Sequence, residues 1–222
     1  MDITDTLRAR FRPEWKGRAD LTGLDTMLEN ALSFVTVPKA KKDELEKLGT
    51  LNPRGVSEAM LVAMGKAAAP ELRRTLKVVA ERREALKRER ATLAKPNIDK
   101  ADAAAAVMRS EMRTYLRGLD MGERARVLIT NPDPIMLAAV LEAPDALSGL
   151  NADTRAHVET AYVEANHADK VKAMADHDEA LSVVAAAVGI AQGEMRKHVG
   201  IGPQAFADWF TSADGTETRR AA

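Results

Sequence analysis

A heptad run that crosses a proline turn without changing its pattern sets the tightest limit on what this chain can become. Leu72, Leu76, Val79, Leu86 and Leu93 follow a 4-3 register, with Arg83 and Arg90 in the two remaining slots. After Pro96 the slots are Ala101, Ala105, Met108, Met112, Tyr115 and Leu119. A seven-residue repeat gathers such side chains on one stripe of a helix. An apolar stripe has to lie against another helix, so the spacing predicts a helical hairpin with coiled-coil-like packing. Its first arm, Glu71 to Ala94, would be roughly 36 Å long. Lys95-Pro96-Asn97 turns the chain, because a proline ring pushes the residue before it out of the α region. Asn97 or Asp99 can cap the return helix, which runs to about Arg117.

Composition supports helices throughout. The 222 residues are 45% apolar but only 4% aromatic, and Ala, Leu, Glu, Lys, Arg and Met carry most of the chain. These are helix formers, and a core poor in rings suits closely approaching helices better than stacked sheets. Net charge is zero, with 33 basic and 33 acidic residues, so bulk charge gives no reason to expect nucleic acid or an anionic membrane. The distribution is uneven. Residues 71–95 hold nine Lys/Arg and four Glu, whereas residues 142–187 hold nine Asp/Glu and three Lys/Arg. A basic arm and an acidic arm can pair within a chain or between subunits.

The absence of cysteine excludes disulfides and thiolate metal sites and suits a reducing compartment. Met1-Asp2-Ile3-Thr4-Asp5 shows no basic segment leading into an apolar one, as a signal peptide would. The longest apolar stretch, around Val183 to Ile190, is too short to span a bilayer. The expectation is a soluble cytoplasmic protein, or a virion protein if phage-encoded, with no membrane partner.

Other elements follow from caps and breakers. Pro13 and Gly17 stop any helix near Phe11, and Thr22 reads as an N-cap with Asp25 three residues on. Leu24, Leu28, Ala31, Leu32 and Val35 form a face that Pro38 is expected to end, leaving Lys39 to Leu48 as a separate short helix. Asn52-Pro53 opens a helix striped by Val56, Met60 and Met64, and Pro70 opens the next. Asp120 and Asp133 cap two short helices between the long ones. Asn151 or Asp153 caps a second long helix from about Thr154 to His198, with a stripe from Val158 and Tyr162 through Leu181, Val188 and Met195. Gly200-Ile201-Gly202-Pro203 is a hinge, and the polar residues 211–222 are expected to be disordered.

No constellation in the chain reads as catalytic. His157, His167 and His177 are ten residues apart and therefore spiral around a helix by about 80° per step. Zinc helices instead place two ligands three or four apart. The serines sit in no nucleophile elbow, and the glycines at 200 and 202 lack the strand and lysine-serine pair of a phosphate loop. No metal and no cofactor is expected. Two features suggest partners. Arg83 and Arg90 occupy stripe positions, where a charge needs an acidic neighbour on another helix or subunit. Phe206, Trp209 and Phe210 share one face of a short helix behind the hinge, three of the eight aromatic residues in five positions. Large anchors on a swinging element read as a docking helix, either on its own core or on a neighbour.

The expectation is an all-α protein of long antiparallel helices, with short helices at both ends. It divides into a short-helix region at 1–69, a long-helix hairpin or bundle at 70–200, and a hinge, aromatic helix and tail at 201–222. The function expected is non-enzymatic: a structural or assembly protein that packs helices, forming a homo-oligomer or joining other protein subunits. A phage or mobile-element virion is a fitting setting. The alternatives are a nucleic-acid-associated protein using the basic 71–95 helix, and a helical enzyme with a scattered site.

Overall fold

A computed structural model describes residues 2–99, 101–130 and 133–212. The chain is all-α, and no strand occurs among the described residues. The helices are α1 (Ile3–Arg10), α2 (Leu24–Lys47), α3 (Pro53–Lys66), α4 (Ala68–Leu93), α5 (Ala103–Gly118), α6 (Met121–Ala125), α7 (Pro134–Glu142), α8 (Asp145–Ser148), α9 (Ala152–Asn166), α10 (Ala168–Val199) and α11 (Pro203–Thr211). A π-helical turn, Arg126–Thr130, continues α6. The expected tail lies almost wholly outside the described residues.

The chain separates into two compact units, Met1–Arg83 with Asp176–Ala222, and Glu84–Ala175. In the first, the core takes Leu7, Phe11 and Trp15 from the N-terminal region, Leu24, Leu28 and Leu32 from α2, and Met60 and Met64 from α3. Leu72 and Val79 of α4 join them, as do Leu181, Val184, Val188 and Met195 of α10. From Ala180 to Ala191, the buried residues of α10 (Ala180, Leu181, Val183, Val184, Ala187, Val188 and Ala191) share one broad face, about 160° wide at 100° per residue. Its small side chains let neighbouring helices approach closely.

The second unit is built around Leu116, Leu128, Leu137, Val140, Val158 and Val163, all essentially inaccessible to solvent. Here α7 packs against both α5 and α9, α8 packs against α5, and the π-turn packs against α9. The sequence signals for starts hold well in this unit. Asp120, Asp133 and Asn151 each accept a hydrogen bond from a first-turn amide (Glu123, Ile135 and Thr154) at 2.8 Å.

Five local expectations are corrected. Pro38 does not end α2, which runs through it for 24 residues. Proline removes one backbone bond and strains one turn. Here Pro38 is itself buried, and Leu28, Ala31 and Leu32 before it and Leu45 after it anchor both sides of the interruption. Thr22 is not the N-cap. Its hydroxyl donates backwards to the Ala19 carbonyl at 2.9 Å, and Gly23, left-handed at φ +82°, leads into α2. The return helix is capped by Asp102, not Asn97 or Asp99, through a 2.9 Å bond from the Ala105 amide. The second long helix is broken at His167, whose backbone leaves the helical region at φ −138°. The Asn166 amide donates to the Tyr162 carbonyl at 2.9 Å and so competes with the helix ladder.

The fifth correction concerns the heptad stripe. In α4 it is buried at Leu72 and Val79, half-buried at Leu86 and Leu93, and exposed at both arginine slots. In α5 the buried face is one residue out of phase with the expected one: Arg109 and Leu116 are buried, with Ala105, Met112 and Arg113 beside them, while Met108 and Tyr115 face solvent. A one-residue slip rotates a helix face by about 100°. The inward slot is claimed by the ion pairs of Arg109 and Arg113 with Glu142.

Candidate functional site

Three groups of side chains carry the interaction chemistry. The first is a polar hub in the unit containing α1. Asp176, whose side chain is only 16% exposed, accepts from Arg18 Nη1 at 2.7 Å and lies 3.6 Å from Arg12. Arg18 also grips Asp20 with two bonds, Nε at 3.1 Å and Nη2 at 2.8 Å. This fork lowers the Asp20 carboxyl below the usual carboxylate range and raises the Arg18 guanidinium further. Arg12 reaches on to Glu179 and lies 5.0 Å from the Trp15 ring centroid, a cation–π distance. The hub pins the two short turns after α1 to the acidic stretch of α10. It satisfies charges between segments far apart in sequence.

Nearby, an open cleft of about 360 Å³ is lined by Arg8, Phe11, Lys16, Thr26 and Glu29, among others. Its main cation is occupied: Arg8 donates to both oxygens of Glu29 at 2.9 to 3.1 Å, which raises the guanidinium above its ordinary value. The four histidines do not converge. His157 is exposed and bonds the Asp153 carbonyl through Nδ1 at 2.8 Å, and His198 lies 3.3 Å from Glu194. Among the described residues no group of three His, Asp or Glu side chains is placed to hold a metal ion.

The second group is a set of arginines in the unit containing α5. Arg109, buried, pairs with Glu142 at 2.5 Å, and Arg113 lies 3.7 Å from the same carboxylate while donating to the Ala139 carbonyl at 2.9 Å. Arg155 donates to the carbonyls of Leu141 and Ala143, at the end of α7. Arg124 donates to the carbonyls of Leu116, Leu119 and Gly149. Terminal carbonyls of helices have no ladder partner. A planar guanidinium with five donors can serve several of them together. This arrangement is structural, and it explains the slipped face of α5: Arg109 and Arg113 must point at α7 to reach Glu142.

The third group is what that slip exposes. Val107, Met108 and Tyr115 on α5 are 60%, 45% and 56% exposed. Ala104, Met108, Glu111 and Tyr115 form an outward row spaced 4-3-4, the spacing of a helix-pair seam, with Val107 beside it. Met121, Ile129, Ile135 and Leu147 of the same unit are also exposed. This outward stripe escaped the sequence reading, which had put Met108 and Tyr115 inside.

The side chains expected to bind partners are placed as follows. Phe206, Trp209 and Phe210 are buried within their own chain, with ring centroids 5.4 to 6.4 Å apart. Trp209 lies over the backbone of Gly65 in α3, where an added Cβ would sit 3.6 Å from the ring. Arg83 finds the acidic helix expected for it, with Nε 3.2 Å from Asp178 and Nη2 donating to Ser182 at 2.7 Å. Arg90 is exposed on α4. The structure brings the aromatic trio together and leaves Arg83 and Arg90 apart from it.

No protein-family model matches this chain, and no curated protein or solved structure matches it. Among the described residues, no helix is long and apolar enough to cross a membrane.

Proposed function

We propose that this is a non-enzymatic structural or assembly protein that acts by packing helices against further copies of itself or other protein subunits. The observation that carries the reading is the outward stripe of α5. Met108 and Tyr115 stand one heptad apart on the exposed face, with Val107 beside them and Ala104 and Glu111 completing the row, and this exposed apolar ground suits a partner helix. A phage or mobile-element virion as the setting rests on compositional style alone: alanine-rich, cysteine-free helices with polar ends.

The nucleic-acid reading stays second. Within the basic arm, Arg74 pairs with Glu71, Lys77 with Glu81 and Arg83 with Asp178, so part of its charge is already matched. A phosphate-tracking surface needs its cations free.

Light scattering across a concentration range tests the proposal. The expected result is a mass above the 24.1 kDa of one chain, falling to one chain for Met108→Glu with Tyr115→Arg at unchanged helicity. A wild-type protein that stays monomeric throughout would remove the self-association reading. Binding to DNA that collapses steeply with salt would favour the alternative.

A further inference from the structure

The C-terminal helix α11 is attached to its unit in an unusual way. Its anchors are almost entirely apolar: Phe206, Trp209 and Phe210 are 7%, 2% and 6% exposed. Its polar bonds are mostly internal, such as Gln204 to Asp208 and the Thr211 and Ser212 hydroxyls to α11 carbonyls. A polar tie to the rest of the unit runs from Arg73 to the Ser212 carbonyl. Among the described residues the buried Trp209 indole N–H has no acceptor, so the seat they form satisfies the ring and not its polar edge. The connection to α10 is three residues, Gly200-Ile201-Gly202, with both glycines exposed and Gly200 left-handed at φ +78°. Glycine adopts left- and right-handed backbones almost equally well, so this joint can straighten without steric cost.

We infer that α11 is an exchangeable latch that seats in the same α3 groove of a second copy, giving a reciprocally swapped dimer. The occupant is fixed by complementarity already present: the groove over Gly65 fits Trp209, and every copy carries both halves. Closed and exchanged forms share the same contacts, so the balance between them is set by the joint and by protein concentration. A two-glycine joint of three residues is the kind of short connection that permits exchange. This inference rests on α3, α10 and α11, and the proposed function on α5, so each can fail alone.

The discriminating variant is Gly200→Ala. An alanine resists φ +78°, and its Cβ would lie 2.9 Å from Ser57 Oγ, so the closed joint is disfavoured while a straightened one is not. Refolded at high concentration and measured by light scattering in the Tyr115→Arg background, Gly200→Ala should raise the dimer association constant at least tenfold. Truncation after Gly202 should abolish that dimer. Because the truncated chain could unfold, a second measurement uses the lack of native cysteine. Tagged Arg73→Cys and untagged Ser212→Cys chains are refolded together and treated with a bismaleimide. Linked pairs of mixed mass are the expected result. The inference is overturned if Gly200→Ala remains monomeric and merely melts lower, if its dimer survives truncation, or if no mixed-mass product forms.

Discussion

Arg124 donates from Nε to the carbonyl of Leu116 at 2.8 Å, and its other nitrogens reach the carbonyls of Leu119 and Gly149. One side chain on the short helix α6 thereby closes the end of α5 and holds the turn at Gly149 where α9 begins. Arginine clamps thus add to the ordinary backbone caps of helices in this unit.

Arg124→Lys should therefore behave like Arg124→Ala and not like the wild type. A single ammonium cannot serve three divergent carbonyls, and each polar group left unsatisfied costs about 1–3 kcal/mol when buried. The Leu116 carbonyl also accepts from the Leu119 amide and the Gly149 bond is exposed, so the loss expected is about 1 kcal/mol. Urea unfolding followed by circular dichroism checks it. A lysine variant as stable as wild type would show that charge, not the fork, matters.

The phase of α5 can be tested by two adjacent substitutions. Leu116 is fully buried and Tyr115 more than half exposed. Leu116→Asp should cost several kcal/mol, because an unpaired buried charge has no compensation, while Tyr115→Asp should cost under about 1 kcal/mol. Circular dichroism is the suitable probe, since Trp15 and Trp209 both belong to the other unit. Equal losses for the two would restore the original heptad phase.

Gly189 and Gly193 lie on an exposed side of α10, and an added Cβ at either would meet nothing within 4 Å. Each glycine weakens the helix by about 0.5–1 kcal/mol relative to alanine. Gly189→Ala and Gly193→Ala should each raise the melting temperature by about 1–4 °C and act additively. A fall for either would mean that the face is covered in solution, as an assembly interface would cover it.

Acid should loosen the Arg18 hub. The Asp20 carboxyl has a lower pKa folded than unfolded, because Arg18 donates to its charged form. Its contribution is therefore present above the unfolded value, about 3.9, and drains as pH falls through the folded value. Asp20→Asn should lower the melting temperature at pH 7 and converge on the wild type as the pH falls through the folded value. The pair is 28% and 42% exposed, so the difference at neutrality should be under about 1 kcal/mol. A gap that does not change with pH would assign the effect to packing.

The residues alone determined the class of fold, because helix periodicity and caps act within four or five positions. Asn52, Asp120, Asp133 and Asn151 begin helices wherever they stand before the right run, and Gly200 breaks α10 for reasons local to its backbone. The aromatic face of α11 was legible for the same reason. Tertiary structure decided what local rules leave balanced. Pro38 is carried inside α2 because packing on either side outweighs one lost bond. The face of α5 was settled by Glu142 thirty-three residues from Arg109, a distance at which no periodicity speaks. Met108 and Tyr115 suit either an inner or an outer stripe by hydrophobicity alone, and the ion pair with α7 turned them outward. The seat of α11 likewise depended on a groove over Gly65, and a groove exists only once distant helices have met.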